Sequence, residues 1–91
     1  MALSDKSGTI AVANTAQTLM PTSNLRNGFS VQNNSAGDLW INELGNAAVI
    51  AQPSLKIASG ALYETPRGYP CPYAISIIGA TLSQAFTARE W

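Results

Sequence analysis

The chain has 91 residues, of which 46% are apolar and only 11% charged, with five basic side chains balancing five acidic ones. That length makes one domain. With no cluster of Lys and Arg, nothing answers the phosphates of a nucleic acid. With no histidine, the Ser-His-Asp and Cys-His catalytic sets and the commonest metal ligand are ruled out.

Five prolines and seven glycines divide the chain into short pieces, which leaves little room for helices. The pieces between them are rich in β-branched and aromatic residues at a two-residue period. The first is "GTIAVA", residues 8–13, in which Ile10 and Val12 alternate with small partners. Residues 1–8 before it are small and polar and are expected to form a flexible arm, leaving 9–91 as a single domain. "QTLMP" ends at Pro21, as an edge strand or a strand end would. "TSNLRN" reads as a turn.

In "GFSVQN", Phe29 and Val31 point one way while Ser30 and Gln32 point the other. "NSAG" turns the chain into "DLWINEL", where Leu39 and Ile41 share one face and Trp40 and Asn42 the opposite one, so the two strands are expected to pair as a hairpin with a four- to five-residue loop. An outward Trp40 needs cover, either from a loop or from another subunit. "NAAVIAQP" is a weak strand or an irregular connection. "SLKIA" puts Leu55 and Ile57 inward, and "ALYETP" is a further strand stopped by Pro66. "RGYPCP" is a proline-stiffened loop. "YAISIIG" is apolar on both faces and is therefore the central strand, covered on both sides. "AFTAREW" closes the chain, with Phe86 and Ala88 on one face and Thr87 and Arg89 on the other.

Seven to eight short strands at intervals of about 8–12 residues define an all-β fold with the spacing of a sandwich or a barrel, read here as a small antiparallel β-sandwich. Its inner set is Ile10, Val12, Leu19, Phe29, Val31, Leu39, Ile41, Leu55, Ile57, Tyr63, Ile75, Ile77 and Phe86. So small a core, under a surface so poor in charge, suits a protein covered by its neighbours.

The residues offer little chemistry. Neither a Walker A loop nor G-x-G-x-x-G occurs. The carboxylates are scattered; Asp38 and Glu64 could form a glycosidase pair only by chance of folding, and each reads equally well as a solvated strand-end charge. Cys71 is the lone cysteine, so no internal disulfide is expected, and it reads as a packed or turn residue. No run reaches the roughly 18 apolar residues of a membrane helix. "MALSDKSGT" has no basic stretch followed by an apolar core, so synthesis in the cytoplasm is the expectation. No enzyme activity, metal or cofactor is expected. Trp40 with Asn42, or Tyr63 with Tyr69 and Tyr73, would make a sugar-binding platform; the same tyrosines read as core packing with the hydroxyl reaching a loop. Trp40, Asn42, Arg89 and Trp91 are the candidate contact residues, because Trp and Arg are favoured in interface cores. For Trp91 the alternative is that it folds back and caps the domain's own core.

"TAQTL", "LRNGFSVQNNSAGDLWINELG", "SLKIASGALYETP" and "YAISIIGATLSQAFTAREW" resemble small virion proteins of tailed phages. These are β-sandwich or jelly-roll modules of the capsid decoration (cement) or head-fibre type. The resemblance spans residues 8–91, and the Pro-rich "TPRGYPCPY" departs from it. It implies a structural, non-enzymatic protein made in the host cytoplasm and placed on the capsid surface. Its partners would be the major capsid protein and copies of itself, as a homotrimer or homodimer. A head-fibre, tail-associated or carbohydrate-binding adhesion module is the alternative.

Overall fold

Alternation of apolar and polar side chains gives each strand one dry face and one wet one, and the dry faces of two sheets close on each other. The computed structural model describes residues 2–91. Among them the chain forms nine strands: β1 (Ser4–Asp5), β2 (Gly8–Thr9), β3 (Gln17–Met20), β4 (Phe29–Asn33), β5 (Leu39–Asn42), β6 (Leu55–Ile57), β7 (Leu62–Glu64), β8 (Ile75–Gly79) and β9 (Ala85–Glu90). One sheet has the order β1-β9-β4-β7, with β2 also on β9; the other has the order β3-β8-β5-β6. All pairings are antiparallel, but β4 and β5, expected to pair as a hairpin, lie in different sheets, where their apolar faces meet across the core instead of side by side.

β1 and β2 run along one neighbour and together act as a single interrupted strand. Each sheet then has four strands, and every connection except β5 to β6 crosses from one sheet to the other, which is the jelly-roll topology. The chain is therefore an all-β, antiparallel jelly-roll sandwich. Of residues 1–8, expected to stand off as an arm, Met1 lies outside the described residues, while Ser4, Asp5 and Gly8 pair with β9 of the same chain, with Ser4 opposite Glu90 and Gly8 opposite Phe86. The reason is that β9 is already paired with β4 on one side and needs a partner for its other row of backbone groups.

The core comprises Ile10, Leu19, Met20, Phe29, Val31, Leu39, Ile41, Ile57, Cys71, Ile75, Ile77, Phe86 and Ala88, with Ala61 and Tyr63 packed against it. The Tyr63 ring tilts against Phe29, with centroids 5.6 Å apart. Two expected core residues lie outside. Val12 is 57% exposed because the first strand ends at Thr9 and the chain turns after the buried Ile10. The Gln17 side chain holds that turn, donating to Thr9 O and accepting from Ala11 N. Leu55 is 39% exposed because it starts a three-residue edge strand. β8 is covered on both faces as expected: Ile75 and Ile77 point into the core, while Ile78 is buried on the outside. Residues 46–53 form no strand; Ala48 N donates to the Ser76 hydroxyl on β8, which holds this connection against the second sheet.

Candidate interaction face at one end of the sandwich

The antiparallel topology sends the loops 21–28, 43–54 and 65–74 to one end, together with Trp91 after β9 and Ala2 and Leu3 before β1. Arg26 ties this end together. It is fully buried, and its Nε donates to Glu90 Oε1 at 2.9 Å. Nη1 donates to Cys71 O and Tyr73 O, both at 2.8 Å, and Nη2 donates to Pro21 O. Lys6 reaches the other Glu90 oxygen at 3.4 Å. One guanidinium thus fixes two of the loops to β9, and its fork suits this task because it presents donors in fixed directions. Ser23 N to Pro72 O and Asn27 N to Trp91 O add backbone links across the same end.

On this scaffold sits a surface of exposed apolar and aromatic side chains. Leu25, Leu44, Val49, Ile50, Tyr69 and Tyr73 all come from these loops, with Leu3 beside them. Tyr69 and Tyr73 are 49% and 58% exposed. They line a small pocket of about 110 Å³ with Glu43, Leu44, Pro70, Cys71 and Pro72. The Tyr63 hydroxyl donates toward both Glu43 oxygens at 3.2 and 3.3 Å. Burial, together with the neighbouring Glu43 carboxylate, pushes the Tyr63 phenol up to about 12. Burial also pushes the Cys71 thiol up, against the opposing pull of Arg26. A second, wider cleft of about 550 Å³ lies between Leu3, Glu64, Thr65, Pro66, Arg67 and Trp91.

The opposite end is built differently. Asn33 is fully buried and donates to Gly37 O and Ile57 O at 2.7 and 2.8 Å while accepting from Ser35 N. Gln84 is also buried; its amide donates to Ser35 Oγ and Asp38 O and accepts from Thr81 N. These amides close short loops, and Val12, Leu62 and Leu82 supply the large exposed apolar groups at or beside this end.

The four residues expected to form a contact patch are not brought together. Trp40 is half-buried on the outside of the second sheet, opposite Lys56 and Ile78. Arg89 is on the outside of the first sheet and pairs with Asp5 at 3.1 Å; hydrogen bonds from Ser7 in turn hold the Asp5 carboxyl below its ordinary range. Asn42 is not a surface group: it is buried, its carbonyl oxygen accepts from Leu44 N, and its Nδ2 has no partner among the described residues. Trp91 alone belongs to the apolar end. Its half-buried ring packs on Gly28, where a Cβ would come within 2.6 Å of the indole nitrogen.

Among the described residues, no three His, Cys, Asp or Glu side chains come together to hold a cation. Asp38 pairs with Lys56 at 3.4 Å, near the polar end, and Glu64 lines the cleft at the other, so the two carboxylates do not form a site. Sequence reasoning grouped Tyr63, Tyr69 and Tyr73 but missed Glu43 and Arg26; the structure places Tyr69 and Tyr73 on one pocket, with Tyr63 joined to it through Glu43. A signal for Arg26 was present: the period of two that turns Phe86 and Ala88 inward carries Glu90 inward too, and a buried carboxylate demands a cation. Glu43 had no such signal, because it comes from another loop that only the fold brings to the tyrosines.

No protein-family model matches this chain, and no curated protein matches it. Among solved structures, the chain is similar to PirA, known from a crystal structure. The similarity covers 97% of this chain and 91% of PirA's, at 18% identity and a TM-score of 0.47.

Proposed function

We propose that this protein is a structural component of a tailed-phage particle, a capsid decoration protein that seats its apolar loop end on neighbouring subunits of the head. The observation that carries this reading is the unequal distribution of exposed apolar side chains. Most of them gather on three loops at one end, two of which Arg26 holds from beneath. A preformed face of Leu, Tyr and Trp loses little ordering entropy when it docks. Burying it across subunit boundaries raises the free energy needed to pull the shell apart. Many copies on one particle make modest contacts add up. The sequence resemblance to decoration proteins points the same way. The partners are then the major capsid protein and copies of this chain, and the location is the outer surface of the virion.

The test is thermal release of packaged DNA. Particles lacking the protein are expected to lose DNA at a lower temperature than complete ones, and an unchanged release temperature would remove the decoration role. A second reading, as an adhesion or tail-associated module, is favoured by one feature: Trp40 is partly exposed on the outside of the second sheet, away from the apolar end. Glycan binding that is abolished by Trp40→Ala would support it.

A further inference from the structure

Of the ten charged side chains, seven are matched by ion pairs among the described residues, and Arg67, Glu43 and Glu64 are not. Among the described residues, Lys6 and Arg26 pair with Glu90, Lys56 with Asp38, and Arg89 with Asp5. The remaining basic residue, Arg67, is exposed and makes no ion pair among those residues. Glu43 has no cation among them either; the hydroxyl of Tyr63 is its only side-chain hydrogen-bond partner. Both groups belong to loops at the apolar end, and Arg67 is one residue away from Tyr69 across Gly68.

The pocket around Glu43 has the chemistry of a guanidinium acceptor. It offers a carboxylate that the Tyr63 hydroxyl steadies, between two exposed tyrosines whose faces attract a cation. Its volume of about 110 Å³ is on the scale of one long side chain rather than a whole ligand. We infer that two copies of this chain associate end to end, with Arg67 of each entering the Glu43–Tyr69–Tyr73 pocket of the other. Charge complementarity selects the occupant: among the described residues one cation, Arg67, is unmatched, and of the two unmatched carboxylates, Glu64 and Glu43, only Glu43 lines a pocket with tyrosines. A two-fold axis through that face satisfies both at once, as an isologous contact requires. Leu25 and Leu44 then provide apolar surface around the paired charges, which excludes water and strengthens them. The adjacent Glu64 lines the same cleft as Arg67 without pairing with it, which leaves the guanidinium available.

The inference deepens the assembly reading, from which it takes only that copies of the chain meet one another. Its test uses the isolated full chain in sedimentation equilibrium, so an unchanged DNA-release temperature would sink the shell role without touching the dimer. The native chain is expected to dimerise, with weaker association at high salt. Arg67→Glu and Glu43→Arg are each expected to weaken association at least tenfold. An equimolar mixture of the two variants is expected to recover it, because each supplies the charge the other lacks. Arg67→Gln and Glu43→Gln give the same loss without repulsion, and a native β-type circular dichroism spectrum shows that each variant is folded. A native chain that stays monomeric, single variants that associate unchanged, or a mixture that fails to recover association would each overturn the inference.

Discussion

Arg26 and Glu90 are 64 residues apart in sequence, and the Nε of one lies 2.9 Å from Oε1 of the other inside the sandwich. The pair joins the loop before β4 to the last strand, and the same guanidinium holds the carbonyls of Pro21, Cys71 and Tyr73. Removing one member leaves a buried charge and several buried acceptors without partners. Arg26→Ala is therefore expected to cost about 3–5 kcal/mol of stability. Arg26→Lys should recover little of this, because an ammonium cannot reproduce the fork that serves these acceptors. Urea unfolding of the three proteins checks the order.

Trp91 and Gly28 make a close approach that only glycine permits. Gly28 has φ +156°, and a Cβ there would come within 2.8 Å of Thr65 Oγ1 as well as striking the indole. Gly28→Ala should displace Trp91 and cost about 1–3 kcal/mol. The displacement is expected to appear as a red-shifted tryptophan emission and easier quenching by acrylamide. Trp40, on the outside of the second sheet, supplies an unchanged background.

Asn33 closes the polar end with three hydrogen bonds to backbone groups. Asn33→Ala would remove a buried donor from the Ile57 carbonyl and the acceptor of Ser35 N, while Gly37 O keeps the Ser35 hydroxyl. The expected loss is about 2–3 kcal/mol, read as a lower denaturation midpoint. Asn33→Asp should be no rescue, since a carboxylate cannot donate to either carbonyl.

Tyr63 gives an alkaline signature. Its phenol is raised from the ordinary value of 10.0 to about 12 by burial first and by the Glu43 charge second. The folded state thus keeps a proton that the unfolded state releases earlier. The contribution to stability is complete below pH 10 and is lost as pH rises toward about 12. Ultraviolet titration of the tyrosinate band should show one phenol titrating near 12, and Tyr63→Phe should remove that step. The same substitution should flatten the fall in stability over this interval.

Much of this architecture was legible in the sequence because side-chain alternation is a local property. "GFSVQN", "DLWINEL", "YAISIIG" and "AFTAREW" each present one apolar face, so β4, β5, β8 and β9 and most of the core follow from them. Turn residues at short intervals then left a sandwich or a barrel as the arrangements that bury every such face, and the strand order made it a jelly-roll sandwich. The tertiary structure decided what depends on crossings between sheets. It laid the first residues along β9, buried Asn42, set Trp40 and Arg89 on opposite outer faces, and made Arg26 the centre of one end. Periodicity assigns a residue to a face of its own strand, but which loops meet is fixed by the order of strands in both sheets. That order placed Glu43 beside Tyr69 and Tyr73, on the face where we expect a second copy to bind.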